Sequence, residues 1–328
     1  MIRAISIKNL RGIREGELND LTPLVILVGP NNCGKSTVLD AIYLGASAAP
    51  DNGLGDIARR RSQLPDPWRW LFYRDKNVQD QPADVAIMTD RAGAAKWRRL
   101  RLTPPAPNNW PGIGTMDGDF NNGVWTGTAV LPTMRIEDVA SVRLIDAASG
   151  SVQREGQARP LAEIYTDAAE RGALPHVREI LIQLLPNLRD LDLLAPGNRP
   201  TVYLQFANRM HPVELAGDGV QALLRQVLEL ASPAGSVVLM EEPEVHMHPA
   251  AMRQAAKAIL AAVRQKVQVI LTTHSLEFID LLLAEAAESD LGNLSTYSLA
   301  LRDGQLIAVR RNGEDTRFSR QEIGGDLR

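Results

Sequence analysis

Nine consecutive residues, Gly29-Pro30-Asn31-Asn32-Cys33-Gly34-Lys35-Ser36-Thr37, constrain this chain more than any other stretch. They stand between Leu24-Val25-Ile26-Leu27-Val28, an apolar run of strand length, and a helical pattern that begins with Val38-Leu39 and Ile42-Tyr43. A run without alternation suits a strand buried on both faces of a helix-covered sheet. Glycines at both ends of the loop let the backbone fold tightly so that its N–H groups converge, and the helix that follows adds its positive end. Gly29-x-x-x-x-Gly34-Lys35-Ser36 is therefore a phosphate-binding loop in its required context of strand before and helix after. Lys35 is placed to reach the β- and γ-phosphates of a nucleotide, and Ser36 to offer its hydroxyl to Mg²⁺. Asn31, Asn32, Cys33, Gly34 and Thr37 complete the set predicted to contact the ligand.

Composition bounds what else the chain can be. Its 328 residues are 45% hydrophobic and 23% charged, the ordinary globular mix, enough for one large domain or a core with an inserted lobe. Thirty-six Lys and Arg against 39 Asp and Glu leave a net charge of −3, so no global field draws the protein onto nucleic acid or anionic lipid. No run of 18 apolar residues is present to span a membrane. Met1-Ile2-Arg3-Ala4-Ile5-Ser6-Ile7 alternates like a strand and lacks the features of a signal peptide. A single cysteine, Cys33, makes neither an internal disulfide nor a thiolate metal cluster. The expectation is a cytoplasmic protein.

Along the chain, residues 51–123 gather prolines, glycines and four of the five tryptophans (Trp68, Trp70, Trp97, Trp110), with short alternating segments at 84–88 and 98–102. This texture predicts an antiparallel, loop-rich lobe. Residues 159–195 read as helical, and Thr201–Phe206 as a strand. From Gly217 onward helices alternate with the strands Ser236–Met240 and Val267–Thr272, which argues for a parallel sheet. Leu294–Val309 reads as an edge hairpin turning at Asp303-Gly304. The organisation expected is a core lobe from residues 1–50 and 200–328, with 51–199 inserted, first β-rich and then helical.

Three further motifs follow the loop. Ser236-Val237-Val238-Leu239-Met240-Glu241-Glu242-Pro243 delivers two carboxylates to the C-terminal end of a buried strand, where ligands bind in open α/β sheets. Adjacent strand residues face opposite ways, so the pair divides its work: Glu241 toward Mg²⁺ through water, Glu242 toward an attacking water as general base. Leu271-Thr272-Thr273-His274-Ser275 ends the next strand, where His274 can donate to the γ-phosphate or position water. One helix and one strand separate it from Glu242, a connection that can set the two strands side by side. Upstream, Gly217-Asp218-Gly219 opens a helix and can also cradle phosphate.

In this order the motifs resemble the ABC-type ATPases, specifically the OLD (overcoming lysogenisation defect) and RecF-like branch. The resemblance rests on Ile5-x-Ile7-x-Asn9-Leu10-Arg11-Gly12-Ile13, the loop wording Gly29–Thr37, Glu241-Glu242-Pro243-Glu244 with His248-Pro249, and Thr273-His274-Ser275. It covers roughly the first 45 and last 130 residues closely. It implies an α/β P-loop NTPase fold of ABC-ATPase type, a mixed sheet flanked by helices with an inserted antiparallel and helical lobe. It also implies ATP and Mg²⁺ as ligands and a head-to-tail homodimer in which Leu215–Gln221 of one subunit completes the site of the other. There Ala216-Gly217-Asp218-Gly219 departs from the usual Ser-Gly-Gly, leaving Gly219 as the best γ-phosphate contact beside Gly217. Arg11 would touch bound nucleotide, with a surface role as the alternative. Gln63, Gln79 and Gln81 are the candidates for the glutamine that senses Mg²⁺, and Val245–His248 takes the place of the dimer-contact loop.

Neither a long coiled coil nor a C-terminal nuclease domain is visible, so an effector supplied in trans is expected. Two basic clusters, Arg59-Arg60-Arg61 and Lys96-Trp97-Arg98-Arg99-Leu100-Arg101, are candidates for nucleic acid, against the alternative of a strand edge protected by charge. The function expected is an ATP-hydrolysing dimeric switch controlling a nuclease- or toxin-like effector in phage defence. The alternatives are a RecF-like DNA clamp and a nucleotide-bound scaffold with little turnover.

Overall fold

The computed structural model describes residues 1–48, 50–61, 67–74, 81–91, 94–105, 109, 111–121, 124–130, 139–146, 150–151 and 159–328. Gln63, Gln79 and Trp110, and the side chains of Arg59 and Arg61, lie outside the described residues. The chain begins with an antiparallel pair, β1 (Ile2–Leu10) and β2 (Ile13–Leu18), followed by β3 (Leu24–Val28). After the glycine loop come α1 (Lys35–Ala46) and α2 (Pro50–Arg61). The antiparallel strands β4 (Ala83–Arg91), β5 (Ala94–Thr103), β6 (Gly112–Asn121) and β7 (Val124–Val130) precede β8 (Val142–Asp146) and β9 (Gly150–Ser151). Helices α3 (Leu161–Glu170) and α4 (Leu174–Leu184) lead to β10 (Leu188–Leu194), β11 (Thr201–Phe206) and β12 (Met210–Pro212). The last third alternates α5 (Asp218–Leu230), β13 (Val237–Glu241), α6 (Pro249–Arg264), β14 (Gln268–Thr272) and α7 (Leu276–Glu285). It continues through α8 (Glu288–Leu291), β15 (Leu294–Arg302), β16 (Gln305–Asn312) and α9 (Gly313–Gln321).

One 13-stranded mixed sheet runs β7-β6-β5-β4-β1-β2-β16-β15-β3-β14-β13-β8-β9, and β10-β11-β12 form a second, small sheet. Strands β15, β3, β14, β13 and β8 are mutually parallel. The unbroken apolar runs of the sequence are explained by burial on both faces. Leu24, Ile26 and Val28 of β3 join one core with Leu223 and Leu224 of α5, Ile259 of α6 and Phe278 of α7. Val25 and Leu27 point the other way, into a core with Val38, Leu39 and Ile42 of α1. Strand β13 divides likewise, Val238 and Met240 to the first core and Val237 and Leu239 to the second. Each such side chain fully buried contributes about 1.5–3 kcal/mol, which is why β3 is apolar throughout and β13 is apolar until Glu241 at its C-terminal end. Gln268 joins β14 to the chain start: its Oε1 accepts from Ile2 N at 2.9 Å and its Nε2 donates to Ile2 O at 2.8 Å.

Some sequence expectations are corrected here. The hairpin turns at Asp303-Gly304, both with positive φ (48° and 79°), but it is not at an edge. Strand β15 bonds to β3 and β16 to β2, so the hairpin bridges the parallel strands to the antiparallel half. Residues 159–195 are not helical throughout, since 188–194 are β10. The β10–β11 ladder shifts register between Leu188 and Asp190, so Leu188 and Leu191 are both buried three residues apart, a spacing that mimics a helix. The stretch 51–199 supplies strands to the main sheet on both sides, β4 beside β1 and β8 beside β13, and a division at residue 200 falls between paired strands β10 and β11. No helix among the described residues is long and apolar enough to cross a membrane.

Candidate nucleotide site

The glycine loop closes over the C-terminal ends of β3, β13 and β14. Gly29 (φ 143°) and Gly34 (φ 96°) adopt backbone that other residues rarely reach, and a Cβ on Gly29 would lie 2.4 Å from the Leu299 carbonyl oxygen. Helix α1 starts directly at Lys35 with Gly34 as its N-cap, no side chain capping it and no acidic residue in its first turn. Its leading N–H groups are thus placed to donate to an anion. The Lys35 ammonium donates to the Gly29 and Pro30 carbonyls, both at 2.9 Å, and is held at the rim of the loop rather than in solvent.

A cleft of about 400 Å³ opens here, lined by Arg11, Asn31, Asn32, Cys33, Gly34, Lys35, Ser36, Thr37, Glu241, Glu242 and His274 among others. The structure therefore brings the loop, both carboxylates and the histidine together. Parallel pairing of β13 with β14, Glu241 opposite Thr272, is what sets the carboxylates beside His274.

The cleft has two corners. In the first, Ser36 Oγ donates to Glu241 Oε1, and Arg60 Nη1 donates to Glu241 Oε2 at 2.7 Å. Arg60 also meets Asp146 Oδ2 at 3.3 Å and Asp40 Oδ1 at 2.5 Å, while Arg11 Nη1 lies 2.7 Å from Asp40 Oδ2. Burial disfavours the Arg60 cation, but Asp40, Glu241 and Asp146 around it more than offset this and hold its pKa above the ordinary arginine value. In the second corner, His274 Nε2 lies 3.4 Å from Glu242 Oε1, with both side chains about one-third exposed (33% and 38%). Glu242 leaves the strand with φ 47°, and its N–H donates to the Thr272 carbonyl at 3.0 Å. Burial and the Lys35 charge push the His274 pKa down, against the opposite pull of Glu242. Just beyond, burial raises the pKa of Glu244, whose Oε1 accepts from Thr273 Oγ1 at 2.5 Å.

Ser36 and Glu241 present hard oxygens of the kind Mg²⁺ takes, and would be the residues to hold it. The residues fit Mg·ATP. Gly217 and Gly219 do not line this cleft; they sit at the start of α5, where a Cβ on Gly219 would come within 3.3 Å of the His246 carbonyl oxygen. Gln81 is exposed, does not line the cleft and accepts from Asn9 Nδ2 at 3.3 Å.

Arg60, read in the sequence as a candidate for nucleic acid, is instead a buried member of the first corner, its side chain 1% exposed. In the second basic cluster, Arg98 pairs with Asp117, and Arg99 and Arg101 share Asp84. The strands adjoining β5 thus answer its arginines with carboxylates, so charge on a protected strand describes them better than a free basic patch. Sequence reasoning missed Asp40 and Asp146 altogether. Asp40 left a signal, one acid inside the apolar pattern Val38-Leu39-Asp40-Ala41-Ile42, with no exposed surface. Asp146 left none, because its place depends on β8 pairing with β13.

Residues 1–92 match the family described as "AAA ATPase domain", and residues 144–280 match "AAA domain, putative AbiEii toxin, Type IV TA system". The head of an Smc protein, solved bound to the C-terminal winged-helix domain of ScpA, superposes with a TM-score of 0.63 at 17% identity, over 95% of this chain and 98% of that one. The SMC head domain of Thermotoga maritima gives 0.53 at 12% identity, over 94% and 98%. The fold is that of an ABC-like P-loop ATPase, a mixed sheet flanked by helices. An "ATP/GTP phosphatase" of Helicobacter pylori is 20% identical over 94% of this chain and 95% of its own length. The "Uncharacterized protein MJECL11" of Methanocaldococcus jannaschii is 32% identical over 34% of this chain and 98% of its own. The chain belongs to the same family as that archaeal protein.

Proposed function

We propose that this protein binds and hydrolyses ATP as a homodimeric switch of the OLD/RecF-like branch, and that its ATP-bound form controls a separate effector in phage defence. The observation that carries the ATPase reading is the convergence of Lys35, Ser36, Glu241, Glu242 and His274 on one cleft. Bound through Ser36 and Glu241, Mg²⁺ would neutralise phosphate charge. Glu242 takes a proton from water as the water oxygen attacks the γ-phosphorus, the bond to the β–γ bridging oxygen breaks, and ADP and phosphate leave. His274, kept neutral by its lowered pKa, holds the water or a γ-phosphate oxygen by hydrogen bonding. The partner subunit's Gly217 and Gly219 complete the site, a reading supported by the exposure of Leu215 beside them, at 75%. Effector control draws support from the match of residues 144–280 to the family described as "AAA domain, putative AbiEii toxin, Type IV TA system".

Glu242→Gln tests the reading. It keeps size and hydrogen bonding but removes the proton acceptor, so phosphate release should fall by about 10²–10⁴ while Mg·ATP binding persists. Size-exclusion chromatography with Mg·ATP should then show an accumulated dimer. Turnover near the wild-type rate would show that Glu242 is not the base.

A further inference from the structure

We infer that Arg60 is a positioning residue for Glu241, fixing the carboxylate through which the metal is held. The inference rests on the reading of Ser36 and Glu241 as the Mg²⁺-holding pair. Arg60 stands on α2, with its side chain 1% exposed, and faces carboxylates from three other elements: Asp40 of α1, Asp146 of β8 and Glu241 of β13. Its two terminal nitrogens do different work. Nη1 holds Glu241 Oε2 at 2.7 Å, while Nη2 holds Asp40 Oδ1 at 2.5 Å. A planar guanidinium fixes both at once; a lysine ammonium, a single point of charge, does not. With Oε2 committed to Arg60, Glu241 has only Oε1 to offer toward Ser36, and the carboxylate is held at both oxygens. Mg²⁺ demands near-ideal octahedral geometry, so a carboxylate free to rotate would hold it, or its water, poorly. The anchor of Asp40 is itself braced by Arg11, so the chain of contacts runs from the turn after β1 to the end of β13.

The test is calorimetric titration of ATP, in EDTA and across a Mg²⁺ series, for the wild type, Glu241→Gln, Arg60→Gln and Arg60→Lys, with thermal melting of each. Arg60→Gln should bind ATP in EDTA as the wild type does, because Lys35 and the loop amides are untouched. The Mg²⁺ concentration that half-maximally tightens binding should rise by about 10- to 100-fold, as when a residue supporting a metal ligand is lost. Arg60→Lys keeps the charge balance and should shift the Mg²⁺ dependence in the same direction by a smaller factor. If Arg60→Gln fails to fold, Arg60→Lys decides. Wild-type Mg²⁺ dependence in the folded Arg60 variants, with Glu241→Gln shifted, overturns the role given to Arg60. Equal weakening in EDTA and in Mg²⁺ also overturns it, since that marks a structural role alone. An unshifted Glu241→Gln shows instead that the metal reading is wrong, and the inference falls with it.

Discussion

Glu241 and Glu242 are adjacent in sequence and opposite in surroundings. Glu241, the last residue of β13, is sealed: its side chain is 10% exposed and both oxygens are engaged by Ser36 and Arg60. Glu242 has already left the strand, in a left-handed conformation, with its side chain 38% exposed and His274 Nε2 3.4 Å from its carboxylate. On the proposed function, the contrast suits one dipeptide to two tasks. A metal-holding carboxylate gains from being immobile, whereas a base must meet water and pass its proton on. Non-glycine residues in left-handed backbone cost of order 1–3 kcal/mol, and here that conformation carries Glu242 out of the sheet and into the cleft.

The comparison can be broken or sharpened by experiment. The largest effect is expected where both corners lose their common ligand. Lys35→Ala should abolish ATP binding, read as the absence of heat on titration with Mg·ATP in a protein whose circular dichroism is unchanged. Asp40→Asn should strike the sealed corner through stability. Its carboxylate is fully buried between Arg11 and Arg60, and breaking a buried pair costs about 3–5 kcal/mol. The urea midpoint should drop with an unchanged slope. The open corner should respond to pH instead. Because burial and Lys35 lower the His274 pKa, the folded histidine stays neutral below the ordinary value near 6.5. Any acid limb of turnover due to His274 should therefore lie below that pH and vanish in His274→Gln. The same sign governs folding: the unfolded chain takes its proton first, so this contribution to stability declines as pH falls from about 6.5 and levels off below the folded pKa. The smallest effect should be Glu242→Gln on stability, within about 0.5 kcal/mol as for other surface changes. A loss as large as that of Asp40→Asn would erase the distinction between the corners.

Much of the site was legible because its residues lie at the ends of strongly apolar strands. Continuous runs at 24–28 and 237–240 announced burial on both faces, and the chemistry follows each run directly. The first corner was less legible, because it is assembled by pairing across the sheet. Val142–Asp146 carries no strong strand signal of its own and is ordered by its parallel ladder to β13, which brings Asp146 to Arg60. Arginine is equally at home on a surface and in a buried ion pair, so Arg59-Arg60-Arg61 looked like a charged face until Asp40 and Glu241 were seen around it. The hairpin position failed for a similar reason. Its turn is local, but which strands flank it is decided by residues more than 250 positions away.

The placement of β3 between β14 and β15 also sets the order of events during synthesis. Leu24–Val28 emerges from the ribosome some 240 residues before the first of its two partners exists. At 5–20 residues per second, that interval is on the order of 10–50 seconds. Throughout it, a fully apolar five-residue segment has no strand to pair with on either side. The nascent chain therefore carries an unpaired apolar segment through most of its synthesis. Folding of the parallel centre must wait for nearly the whole chain, and the nucleotide loop that β3 leads into takes shape only at that late stage.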